Sequence, residues 1–255
     1  MPARSTSTRR LSPETALYLY GIAKPLGKPV RITSPSIDQG SPVQPFACGN
    51  FTCWVSAVDR DGFTEEINRN MDNLEWLALH GVRHQQVVAE IAAKLSIVPA
   101  RFGTIFSSEQ ALRKNVQDRS SALERVFSRI EDADEWGVKV FAERQTKPQM
   151  PANVRTGKEY LQAKAERLHR DPKIDDPGVL ELGDSLKKIA LDSAPTGKIG
   201  GAQPALLWQA TFLVPRSRRK QWDQELRRFV KLWSGSRRIE VNGPWPPYSF
   251  VSDAE

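Results

Sequence analysis

The stretch Leu17-Tyr18-Leu19-Tyr20-Gly21-Ile22 decides the fold. Its side chains are apolar or aromatic at odd and even positions alike, so neither face of an extended chain is left for water. That pattern predicts a central strand buried on both faces. Before it, residues 1–14 are rich in Ser, Thr, Arg and Pro without an apolar period, and read as a disordered tail. After it, Pro25, Pro29, Pro35, Pro42 and Pro45 exclude both helix and interior strand, so Lys24 to Pro45 is expected to be an exposed loop.

Phe46 to Cys48 and Phe51 to Val58 flank Gly49-Asn50, a pair suited to the positive dihedrals of a tight hairpin. Beyond Asp61-Gly62 the period changes. Met71, Leu74, Leu77 and Ala78, then Val87, Val88, Ile91, Ala92 and Leu95, recur at three and four residues, predicting one or two amphipathic helices over about Asn70 to Leu95 on one face of the sheet. Ile97 to Phe106 reads as a strand that Pro99 confines to an edge or bend. Ser107 or Ser108 can cap the helix that follows, a second helix runs from about Asp118 to Ile130, and Trp136 to Phe141 is the closing strand. This order predicts an α+β sandwich related to the ferredoxin-like split βαβ plan, over residues 15–143.

Residues 144–156 are polar and Pro-bearing and read as a linker, which places the domain boundary there. Residues 157–255 then form a smaller C-terminal α+β domain. Helices at Gly157 to His169 and Val179 to Leu191 lead it; a strand at Ala205 to Val214, a helix at Ser217 to Trp233 and a strand at Arg237 to Val241 follow, with an aromatic, Pro-rich tail. A chain of 255 residues with 39% hydrophobic and 26% charged residues can bury one large core or two modest ones, which excludes a disordered protein or a stapled mini-protein.

The longest apolar run, Ala16 to Ala23, falls short of the ~20 residues of a membrane span. Arg9-Arg10 before it resemble a twin-arginine signal, but no small-residue cleavage site follows, so a soluble cytoplasmic protein is expected. Two cysteines suit a reducing interior.

Motifs for chemistry are weak. Gly21 to Lys28 has five residues between its glycines and Pro29 where a phosphate loop needs Ser or Thr. His80 and His84 share a helix face as zinc ligands do, but Gly81 stands where a zinc protease carries glutamate. Cys48 and Cys53 span a hairpin turn, and His169 is the sole further histidine. Exposed or helix-terminal histidines and small core thiols are the plainer reading. The chain lacks a Gly-x-Ser-x-Gly elbow, and Glu65-Glu66 and Asp175-Asp176 suit solvated turns. No catalytic, cofactor or metal residues are therefore expected, and no enzyme.

Charge is more informative. From Arg216 to Arg238 nine basic residues face only Asp223 and Glu225, a surplus equal to the +7 of the whole chain. On a helical wheel Trp222, Leu226, Phe229, Val230 and Trp233 share one face, with Lys220, Arg227 and Lys231 opposite. Lys220, Arg227, Arg228 and Lys231 are the candidate partner-binding residues, suited to an acidic protein surface. The alternative is a basic ferredoxin-like nucleic-acid-binding module, although no aromatic RNP-like strand or zinc knuckle accompanies the charges.

Several segments together resemble the gas vesicle GvpL/GvpF family. They are Tyr18-Leu19-Tyr20-Gly21-Ile22, Arg83-His84-Gln85-Gln86-Val87-Val88, Val98-Pro99-Ala100-Arg101-Phe102-Gly103-Thr104-Ile105-Phe106 with Ser108-Glu109, Glu135-Trp136-Gly137-Val138-Lys139-Val140, Gly157-Lys158-Glu159-Tyr160-Leu161, Phe212-Leu213-Val214, and the ending Asn242-Gly243-Pro244-Trp245-Pro246-Pro247-Tyr248-Ser249-Phe250. The resemblance implies a non-enzymatic accessory protein of gas vesicle assembly. Its implied partners are the hydrophobic shell protein GvpA and other accessory proteins, and it can itself be a minor vesicle component. It also implies two domains, the first a modified ferredoxin-like fold. Core roles are expected for Phe102, Trp136 and Trp245, and the tail is expected to staple onto the second domain.

Overall fold

The computed structural model describes residues 15–70, 72–143, 176–195 and 205–252. The expected tail 1–14, linker 144–156 and helix Gly157 to His169 lie outside the described residues. Two antiparallel sheets with helices make up two units, one comprising residues up to Glu131 together with those from Pro246, the other Asp132–Trp245.

In the first unit, β1 (Thr15–Ala23) is central as its composition predicts. It pairs with β3 (Phe51–Asp59) on one side and with β4 (Ile97–Pro99) and β5 (Ile105–Phe106) on the other. The hairpin partner β2 (Gln44–Cys48) forms the edge, giving the order β2-β3-β1-β4. Gly49, at φ 59, makes the tight turn.

Alternation sorts the side chains onto two faces. Tyr18, Tyr20, Trp54 and Val58 pack with Phe63 of α1 (Arg60–Asn70) and with Val87, Val88 and Ile91 of α2 (Leu74–Ala92). On the opposite face Phe51 stacks on Phe127 at 5.8 Å, bringing in α4 (Ser120–Ile130), while Leu112 and Val116 of α3 (Glu109–Asp118) are buried beside them. Helices thus cover both faces, not one, as a strand apolar on both sides requires. Ser108 caps α3 by accepting from Ala111 N at 3.1 Å.

Three further expectations are corrected here. The Pro-rich segment lacks helix and strand up to Val43, but it is not merely exposed: Ile37 and Ser36 are buried. Ile37 N donates to Tyr20 Oη at 2.8 Å, and the backbone N–H groups of Thr33 and Ser34 donate to the Glu90 carboxylate. The strand expected over Ile97 to Phe106 divides into β4 and β5 around a turn where Gly103 sits at φ 82. The tail beyond Trp245 belongs to the first unit: Tyr248 Oη donates to Gln85 Oε1 at 3.2 Å, Phe250 O accepts from Arg129, and Phe250 and Val251 are buried.

In the second unit, β6 (Ala133–Ala142) pairs with β8 (Leu206–Pro215) on one side and β9 (Arg237–Trp245) on the other, and β7 (Asp192–Pro195) pairs with β8. With α5 (Pro177–Ile189) and α6 (Arg219–Leu232), the order among the described residues is β6-α5-β7-β8-α6-β9 and the sheet runs β7-β8-β6-β9. Trp136 to Phe141 therefore does not close the first sheet; it is the heart of the second. The first unit keeps the expected start of strand, loop and hairpin, whereas the described elements of the second follow a β-α-β-β-α-β order, the split βαβ plan expected of residues 15–143. Asp132, the first residue of this unit, sits at φ 52, and its carbonyl accepts from Arg216 N at 2.8 Å. Buried Trp136, Val138 and Val140 pack with Phe212 and Val214 against Leu182 and Leu186 of α5 and Trp222 and Phe229 of α6. The β6–β9 register shifts by a bulge between Glu135 and Gly137.

Candidate partner-binding surface

The apolar stripe of α6 seats it on the second sheet. Trp222 meets Phe212 at 5.2 Å, Phe229 meets Trp233 at 5.1 Å, and Leu226 is buried between them. Val230, expected on that stripe, is 51% exposed: one residue past Phe229, it is rotated about 100° away from the core.

Most of the basic residues around α6 are held locally. Arg216 pairs with Asp134 at 3.0 Å, and Arg219 pairs with Asp223 at 2.9 Å while its guanidinium lies 3.5 Å from the Trp136 ring centroid. Arg237 pairs with Asp176 at 2.6 Å, Arg238 with Glu240, and Arg218 donates to Ile189 O at 3.1 Å. Arg228 bridges Glu225 at 2.9 Å and Glu181 at 3.4 Å. The Arg228 hydrogen bond holds the Glu225 carboxyl below its ordinary range, against the upward push of burial.

Lys220, Arg227 and Lys231 are different. They are exposed, with no ion-pair partner among the described residues. Spaced by seven and four residues, they form one outward stripe about 16 Å long. Of the four candidates, these three share a face open to a partner. Arg228 stands beside them, tied to its own acids.

A second surface lies on α2 in the first unit. Asn73 starts the helix by accepting from Glu75 N and Trp76 N, each at 3.1 Å. The inward stripe is His80, His84, Val87, Val88 and Ile91. Leu74, expected in the core, is 81% exposed, and Leu79 and Val82 are 51% and 55% exposed, beside exposed Ala78, Gln86 and Ala89. Sequence reasoning missed this face. The signal was that Leu79 and Val82 are apolar yet fall off the core stripe, so this helix is apolar on both sides. Trp245, given a core role in the sequence, is 45% exposed at the end of β9, whereas Trp136 is buried.

The candidate metal residues resolve into core polar pairs. His84 is buried, with Nδ1 2.9 Å from Tyr18 Oη and Nε2 3.1 Å from Ala100 O. The carbonyl can only accept, so Nε2 carries the proton and Nδ1 accepts from the tyrosine. His80, also buried rather than exposed, stacks on Trp76 at 3.9 Å. Cys48 and Cys53 are buried free thiols on the other face of the sheet, so they cannot join the histidines; His169 lies outside the described residues. Among the described residues no group of three or more His, Cys, Asp or Glu is arranged to hold a metal ion, and no helix is long and apolar enough to cross a membrane.

Residues 16–252 match the family model described as Gas vesicle synthesis protein GvpL/GvpF. Gas vesicle protein L of Streptomyces sp. (strain CB03234) is 25% identical, with 96% of each chain covered. Gas vesicle protein F of Haloferax mediterranei is 22% identical over 77% of this chain and 78% of its own. The fold is similar to the crystal structure of GvpF from Anabaena sp. PCC7120, at a TM-score of 0.67 and 20% identity over 93% of this chain and 98% of that one. GvpF from Microcystis aeruginosa gives a TM-score of 0.64 at 18% identity, covering 93% and 99%. Because that family model spans residues 16–252, nearly the whole chain, the protein belongs to the GvpL/GvpF family of gas vesicle synthesis proteins.

Proposed function

We propose that this protein is a non-enzymatic, cytoplasmic accessory factor of gas vesicle assembly that binds the hydrophobic shell protein GvpA. The observation that carries the binding mode is the outward face of α2, where Leu74, Leu79 and Val82 stand exposed on a regular helix. A shell subunit with an apolar surface aggregates in water, and an apolar helix face can cover that surface and remove both from solvent. The stripe of Lys220, Arg227 and Lys231 supplies long-range attraction for acidic groups on the incoming subunit or on other vesicle proteins. In this reading the second unit is the ferredoxin-like one and serves as the rigid mount for the basic stripe.

Capture of soluble shell subunit by the purified protein tests the proposal. Leu79→Glu combined with Val82→Glu abolishes capture if α2 is the docking face, and cells carrying that variant form fewer buoyant vesicles. Undiminished capture by a folded variant overturns the α2 assignment. Salt-sensitive binding to nucleic acid without any vesicle component would instead favour the basic-module alternative, which the unpaired α6 cations keep in view.

A further inference from the structure

The hairpin at the edge of the first sheet holds a feature that shell binding does not use. Cys48 Sγ and Cys53 Sγ lie 3.3 Å apart, both thiols free and both buried. In the β2–β3 register Cys48 faces Phe51 and Cys53 faces Phe46, so the two cysteines occupy the diagonal of one face, with Cys48 in the pair that closes the Gly49-Asn50 turn. Diagonal neighbours across twisted strands come within side-chain reach. Here the sulfurs need to close by only about 1.3 Å to reach disulfide bonding distance.

We propose that Cys48 and Cys53 form a redox-active dithiol that closes to an intrachain disulfide when peroxide is present. The surroundings divide the roles. The Cys53 thiol donates toward Cys48, and the positive charge of Arg113, whose guanidinium lies 4.2 Å from the Phe46 ring centroid, adds to that effect; both lower the Cys48 pKa against the opposing push of burial. The hydrogen bond to Cys48 and burial raise that of Cys53. Cys48 is therefore the attacking thiolate and Cys53 the resolving thiol. Cys48 also sits beside the exposed Gly49-Asn50 turn, which gives a small oxidant the shorter path.

The chemistry balances with hydrogen peroxide as the two-electron oxidant. The Cys48 thiolate attacks one peroxide oxygen, the O–O bond breaks and hydroxide leaves, giving a sulfenic acid. Cys53 sulfur then attacks Cys48 sulfur, forming the S–S bond and expelling the sulfenic oxygen, which departs as water with the proton from Cys53. Two thiols and one peroxide give one disulfide and two waters. The product ties the edge strand β2 to β3 beside the turn of the hairpin.

The native full-length protein, treated with peroxide and measured by intact mass, should lose two hydrogens per chain, remain monomeric by non-reducing electrophoresis, and recover them with a dithiol reductant. The Cys53→Ser variant should stop at a Cys48 sulfenic acid that dimedone traps. Retention of both thiols in the native chain, under peroxide that oxidises the same chain unfolded, overturns the proposal, as do links formed only between chains.

Discussion

Tyr18 of β1 donates its hydroxyl to Nδ1 of His84 on α2 across 2.9 Å, and that bond fixes the helix to the central strand. The same tyrosine oxygen accepts from Gly103 N at 3.1 Å, so one buried hydroxyl joins strand, helix and the turn between β4 and β5. Burial raises the Tyr18 pKa and keeps the phenol protonated as donor. Tyr18→Phe removes the donor and leaves a buried imidazole acceptor without its proton partner. A loss of about 1–3 kcal/mol in urea unfolding is expected, with the fold retained.

The same burial makes stability depend on pH. His84 has its pKa pushed down to about 4 by desolvation, from an ordinary 6.5, with the hydrogen bond to Ala100 O opposing weakly. The unfolded chain therefore takes up a proton below 6.5 that the folded chain refuses. The stabilisation is complete above pH 6.5 and is lost progressively as pH falls to about 4, amounting to roughly 3 kcal/mol. Unfolding free energies measured between pH 7 and pH 4 should fall with this slope, and His84→Gln should flatten it.

Much of this architecture was legible in the sequence, because β1, the hairpin and α4 each follow a clean period. Ser108 at the head of α3 and the paired cysteines as core thiols were also readable. What escaped was the assignment of β6. Its period of two suits either sheet, and nothing local says that Ala133–Ala142 pairs with β8 and β9 and not with the strands of the first sheet. The outward apolar face of α2 escaped for a related reason: periodicity marks a buried stripe, and Leu79 and Val82 lie outside it. The basic run near α6 was visible as charge, and Arg219 and Arg228 have Asp223 and Glu225 one helical turn away, but Arg216 and Arg237 find Asp134 and Asp176, and Arg228 its second acid Glu181, only in three dimensions.

Asp176 should prove the most sensitive carboxylate of the second unit. Its Oδ1 accepts from Gly178 N at 3.0 Å and caps α5, while Oδ2 takes Arg237 from β9. Burial opposes ionisation, yet Arg237 and the two backbone donors prevail and hold its pKa down. Asp176→Ala should cost about 2 kcal/mol by thermal or urea unfolding, and Asp176→Asn, which keeps the cap but not the charge, about half as much.

Gly21, at the bulge in β1, leaves no room for a side chain. A Cβ there would lie 2.4 Å from Ile97 Cδ1 and 2.8 Å from the Val98 carbonyl oxygen. The isoleucine tip can rotate but the carbonyl cannot, so Gly21→Ala should force β4 away from β1. A loss of about 2 kcal/mol or more is expected, with faster hydrogen exchange at Ala100, whose N–H bonds Tyr20 O at 2.9 Å.

The basic stripe of α6 gives a prediction of opposite kind, with large effects on association and small ones on folding. Lys220, Arg227 and Lys231 make no ion pair among the described residues, so replacing all three by Glu should change unfolding free energy by little, within about 1 kcal/mol. Arg228→Glu breaks contacts with Glu225 and Glu181 and sets like charges side by side, so it should destabilise α6 more than the triple change despite altering one residue. If the stripe steers a partner, the triple variant should associate more slowly with captured shell subunit and lose most of its dependence on salt, while dissociation stays near that of the parent. A salt slope equal to the parent's would mean that these cations serve only as a solvated helix face, leaving association to the apolar face of α2.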